Sequence, residues 1–194
     1  MNKQQTEEII QILISKDVKF ESGLTDDETL KIELAFDVKF PPDYKLFLQT
    51  ALPISENFVN WRQGLHSKAI SDKIFSTLAW PLDGLLFDIE SNNFWVDTWG
   101  NMPNSYDEKV LIAKQHYTSY PRLIPIYSHR YIPSQPDENG NPIFSVYQMD
   151  IIYYGYDLAT YLAKEFNFAL PNNFTFPEEP IRKIEFWSDW VDGN

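Results

Sequence analysis

The chain contains no cysteine. A disulfide framework, a thiolate metal site and a cysteine nucleophile are thereby excluded, and the composition fits a reducing compartment. Glycine is scarce, with seven in 194 residues, so a phosphate-cradling loop has little to be built from. No P-loop, G-x-G-x-x-G or G-x-S-x-G pattern occurs. No apolar run is long enough to cross a bilayer. The first residues, Met1 to Glu8, are polar and acidic with no apolar signal core behind them, so a cytoplasmic protein with no membrane partner is expected. His66, His116 and His129 are isolated from one another and from carboxylates at ligand spacing, and neither a metal nor a cofactor is expected. His129-Arg130-Tyr131 sets a base beside a cation, but a lone histidine near a strand end is more often structural. No carboxylate pair is singled out for glycoside hydrolysis. The expectation is a protein that is not an enzyme.

Cations are the other shortage. Lys and Arg number 16 against 28 Asp and Glu, a net charge of -12. The deficit is uneven: residues 1–73 hold nine Lys and Arg against twelve Asp and Glu, and residues 74–194 hold seven against sixteen. Ile74 to Glu108 has no Lys, Arg or His but carries Asp83, Asp88, Glu90, Asp97, Asp107 and Glu108. Tyr131 to Ala163 repeats the pattern with Asp137, Glu138, Asp150 and Asp157. Such a field repels phosphate backbones, so direct nucleic-acid binding is disfavoured, whereas a basic protein would be attracted.

Hydrophobic content of 43% and charged content of 23% are ordinary for a globular protein, and 16% aromatic is high. The length suits one domain over 1–194 with a well-buried core. Ile9, Ile10, Leu13 and Ile14 predict a helix over about 6–15. Thr25-Asp26-Asp27-Glu28 reads as a capping box opening a helix to about Phe36, with Leu30 and Leu34 inward beside Phe36. Phe40 precedes a proline and must be extended, and Pro41-Pro42 presets the next helix. There Tyr44, Phe47, Leu48 and Ala51 form an apolar stripe ended by Pro53, with Asp43, Lys45 and Gln49 facing out.

Asn60-Trp61-Arg62 lies in a loop-like context. Gly84 to Ile89, short and apolar, predicts a strand. Ser91 to Asn101 alternates aromatic and polar residues, so an extended chain would set Trp95, Asp97 and Trp99 on one face, opposite Phe94, Val96 and Thr98. That face is either half-buried core or an exposed aromatic-acidic patch. A helix over about 105–119 follows, with Val110, Ala113 and Tyr117 along one face. Strands are predicted over 123–127, 130–133, 143–147 and 150–154, and helices over about 157–166 and 184–190. Phe186, Trp187 and Trp190 of the tail, 167–194, either pack back or stay exposed. The order of elements predicts an α+β fold, its twisted sheet mixed or mostly antiparallel, with an N-terminal helical pair and a C-terminal helix.

The short capped helix, the Phe40-Pro41-Pro42-Asp43-Tyr44-Lys45 hinge, the following Tyr-Lys-x-Phe-Leu helix and the Leu52-Pro53 exit resemble the N-terminal signature of the SUKH superfamily. That family includes a fungal regulator of cell-wall synthesis and many bacterial immunity proteins. The match runs from about Gly23 to Phe166 and is looser after the hinge. It implies helices packed on one side of a twisted sheet and carries over no catalytic set. It also implies a function: an immunity protein, or antitoxin, that binds and neutralises a cognate toxin. Charge suggests that the toxin is basic, such as a nuclease. Candidate contacts are Asp88, Glu90, Trp95, Asp97 and Trp99. The alternatives are a regulatory scaffold binding signalling proteins and a carbohydrate-binding module built on Trp95, Asp97 and Trp99.

Overall fold

The computed structural model describes residues 1–174 and 181–193, so the part of the tail over 175–180 lies outside the described residues. Helix α1 (Lys3–Ser15) starts at Asn2, whose side chain accepts the Gln5 amide while Gln5 reaches back, and it buries Ile9, Ile10 and Leu13. Strand β1 (Phe20–Ser22), helices α2 (Asp26–Phe36) and α3 (Pro42–Thr50) and strand β2 (Ala51–Pro53) follow. β1 and β2 pair antiparallel, with Phe20 opposite Pro53. The capping box of α2 forms as expected: the Glu28 amide donates to Thr25 Oγ1 at 3.1 Å, and the Thr25 amide donates to Glu28 Oε2 at 2.9 Å.

The inner face of α2 is not the expected one. Leu30 and Leu34 are 56% and 74% exposed, while Thr29, Ile32 and Phe36 are buried. Both Leu30/Leu34 and Ile32/Phe36 are i, i+4 rows, so spacing alone does not choose between them. The choice is made by Trp61, fully buried in the short helix α4 (Trp61–Gly64), whose ring meets Phe36 at 5.8 Å and Phe40 at 5.1 Å. Its Nε1 donates to the Tyr44 hydroxyl at 3.3 Å. The hinge therefore closes around an indole. Arg62, next to it, donates through Nε and Nη2 to Glu28 at 2.6 and 3.2 Å and also to the carbonyls of Ser22 and Gly23. This guanidinium holds the Glu28 carboxyl down at about 2.

Asp43 was expected to face out. It is buried instead, accepting the Gly140 amide at 2.9 Å, because the loop over 134–142 folds over the start of α3. Burial pushes its carboxyl upward.

Residues 84–89 are not a strand. They belong to α5 (Lys68–Ser91), which buries Ile74, Leu78, Pro81, Leu85 and Ile89 along one helical row. A short apolar run has no period of its own, so its strand-like reading was open to override by packing. Pro81 sits inside this helix and has no N–H for the carbonyl of Thr77. That carbonyl instead accepts the Tyr131 hydroxyl at 2.9 Å. Residues 93–96 are irregular and lead to a single 3-10 turn at Asp97–Trp99, so the expected extended alternation is also absent.

After α6 (Tyr106–Tyr117) come β3 (Leu123–Tyr127), β4 (Arg130–Pro133), β5 (Ile143–Tyr147) and β6 (Asp150–Gly155), then α7 (Leu158–Glu165) and α8 (Trp187–Gly193). The four strands form an antiparallel sheet in chain order. The two-residue turns β3–β4 and β5–β6 carry positive φ at Ser128 (49°) and Gln148 (55°). The fold is α+β, as expected, but the helices are not confined to one side of the sheet. Ile124, Ile126, Ile132 and Ile143 join a core with α1, α2, α3 and α7. Leu123, Tyr131, Phe144, Val146 and Ile151 join a second core with Leu85, Ile89, Trp99 and Trp187. Successive strand residues thus feed opposite faces, both covered. The tail residues Trp187 and Trp190 pack back, donating from Nε1 to Pro121 O at 2.7 Å and Met149 O at 2.6 Å.

Candidate interaction surface

The helical state of 84–91 sorts the acids of the cation-free segment. Asp88 points inward: it is buried and accepts the Met149 amide at 2.8 Å and the Asn92 side-chain amide at 2.5 Å, tying α5 to the β5–β6 turn. Asp83 and Glu90 point outward. Trp80 and Phe87, 43% and 47% exposed, share their face. Positions 80, 83, 87 and 90 recur every three or four residues, so aromatic and acid alternate along one stripe of the helix. At its start Trp80 stands 6.2 Å from the exposed ring of Tyr147 on β5.

Asp83, Asp88, Glu90, Asp97, Asp107 and Glu108 enter no ion pair with any described residue. All but Asp88 are exposed. The second cation-free segment is different in space. Asp137 meets Lys39, Glu138 meets Arg182 at 3.1 Å, and Asp157 caps α7 by accepting the Thr160 amide at 2.8 Å. Cations remote in sequence neutralise that segment in part, whereas the 74–108 surface keeps its charge.

Of the five sequence candidates, Glu90 and Asp97 are presented, Trp95 is half-buried, and Asp88 and Trp99 are withdrawn. Trp99 donates from Nε1 to the Tyr120 hydroxyl at 2.7 Å and stacks on His116 at 5.5 Å. Trp95 spends its Nε1 on the Gly100 carbonyl at 2.7 Å, and its ring meets Trp99 at 87°. The two indoles therefore do not lie side by side as a platform around Asp97. Trp80, Asp83 and Phe87, exposed on the same face as Glu90, are not among the sequence candidates. Their helical spacing with Glu90 was legible, but the strand reading of 84–89 concealed it.

The described residues also show where the histidines and the remaining acids stand. No cluster of three His, Asp or Glu that would hold a metal occurs among them. His129 lines a cleft of about 350 Å³ with Trp80, Tyr147 and Lys73. Its ring contacts the Ser128 hydroxyl at 3.1 Å, and burial together with Arg130 lowers its pKa. No helix among the described residues is long and apolar enough to cross a membrane. Compared with protein-family models, curated proteins and solved structures, the chain matches none.

Proposed function

We propose that this is an immunity protein that binds a cognate protein toxin in the cytoplasm and neutralises it by covering its working face, without chemistry or a cofactor of its own. The observation that carries this reading is the stripe of Trp80, Asp83, Phe87 and Glu90, acidic, aromatic and free of any cation partner among the described residues. A basic enzyme acting on nucleic acid is the complementary occupant. Opposed charge speeds the encounter, and exposed aromatic rings are the anchors that interfaces bury. The resemblance of Gly23 to Pro53 to the SUKH superfamily supports the class, because its bacterial members include many immunity proteins.

The test is co-expression with the product of the gene immediately upstream. Host survival only when this protein is present is the expected outcome. Death of the host at the same rate with and without it would overturn the proposal for that partner.

A further inference from the structure

A cleft of about 810 Å³ opens between the α2–α3 corner, a neighbouring row of α5 and the end of α6. It is large enough for a small organic ligand, which such pockets hold at roughly 300–1,000 Å³. Part of its wall is apolar, formed by Val38, Phe75, Leu78 and Leu82. Phe75 leans on Phe36 at 5.2 Å and is nevertheless 47% exposed, a large ring left open beside a cavity.

Polar side chains, Arg122, Tyr117 and Ser134 among them, reach the same space. Arg122 spends Nη1 on the carbonyl and carboxylate of Asp37 at 2.6 and 2.7 Å, and its Nε and Nη2 donate to no described residue. The hydroxyls of Tyr117 and Ser134 also make no hydrogen bond with described residues, although both line the cleft. The Ser134 amide donates to the Arg122 carbonyl at 2.7 Å, which fixes the two next to each other. Lys39, the other cation in the lining, is paired with Asp137.

We propose that this cleft is a binding site for a monocarboxylate with an apolar body, its carboxylate held by the free edge of the Arg122 guanidinium beside the Tyr117 and Ser134 hydroxyls. The planar fork of arginine serves two carboxylates from different edges, so the bond to Asp37 does not exhaust it. Asp37 and Asp137 pair with the two cations, and Asp83 and Glu185 add negative charge near Tyr117 and Tyr120, so no excess positive charge is left for a phosphate dianion. A neutral hydrocarbon would desolvate the guanidinium edge and the phenol without replacing their hydrogen bonds. Binding in the cleft does not require the proposed toxin, although Asp83 of the stripe acts on Tyr117 through its charge.

Isothermal titration of the full chain with decanoate, and with decanol as the uncharged body, tests this. Decanoate is expected to bind saturably at one per chain, and decanol about tenfold more weakly. Arg122→Gln, at the solvent edge, should weaken decanoate about tenfold and leave decanol unchanged. Ala79→Trp should fill the cleft and abolish both. If Ala79→Trp fails to fold, the Arg122→Gln comparison decides alone. Absence of saturable decanoate binding, equal affinity for the two compounds, or an unchanged affinity in Arg122→Gln would each overturn the assignment.

Discussion

The Tyr131 hydroxyl donates at 2.9 Å to the carbonyl oxygen of Thr77, the acceptor that Pro81 leaves without its helical donor. A sheet side chain thus repairs a helix. Tyr131→Phe should cost about 1–2 kcal/mol, since the carbonyl is left unmet. In a Pro81→Ala background the loss should shrink, because the new N–H takes over the acceptor. A double-mutant cycle by urea unfolding measures the difference, and strictly additive losses would separate the two residues.

Gly84 tests how closely α5 sits on the sheet. A Cβ there would come within 2.7 Å of the Gln148 Cα, a backbone atom that cannot step aside. In an open helix, Gly→Ala gains roughly 1 kcal/mol. Here Gly84→Ala is expected to cost about 1–3 kcal/mol, the usual range for overpacking. A rise in melting temperature would refute the close approach.

Glu28 gives the fold an acid limb. Its carboxyl, held at about 2 by Arg62, lies below its ordinary value of 4.5. A lowered carboxylate pKa adds stability that is present above the ordinary value and is lost as the pH falls from there toward 2. Arg62→Gln should therefore destabilise by about 2 kcal/mol at neutral pH. The gap from the parent protein should narrow between pH 4.5 and 2 in chemical denaturation, without closing, since Arg62 also holds the Ser22 and Gly23 carbonyls.

The two kinds of acid on α5 should separate cleanly. Asp83→Lys with Glu90→Lys is expected to leave stability within about 0.5 kcal/mol and to slow partner association about tenfold at low salt, with less effect at high salt. Asp88→Ala should cost about 2 kcal/mol by orphaning the Met149 amide, with the association rate unchanged. Stopped-flow association beside thermal unfolding reads both, and an association rate indifferent to the double reversal would remove the stripe from the interface.

Local chemistry made much of this fold readable. The Thr25–Glu28 box, the proline-preset α3 and the strands after Pro121 depend on neighbours in sequence, and they stand within a residue or two of where they were expected. What failed depended on distant partners. Leu30 and Leu34 lost the inner face because Trp61 chose Phe36, and Asp43 was buried by a loop almost a hundred residues away. The candidate surface follows the same rule: its acidity is legible in the sequence, but which acids face water depends on the helical state of 84–91. Asp88 and Asp83, five positions apart, take opposite sides.

Helix α5 belongs to both cores, Ile74 and Leu78 to one and Leu85 and Ile89 to the other. Any attempt to divide the chain between its helical first third and its sheet must cut through or around this strut. Either fragment would then carry an uncovered apolar face, so split halves are expected to be recovered only together.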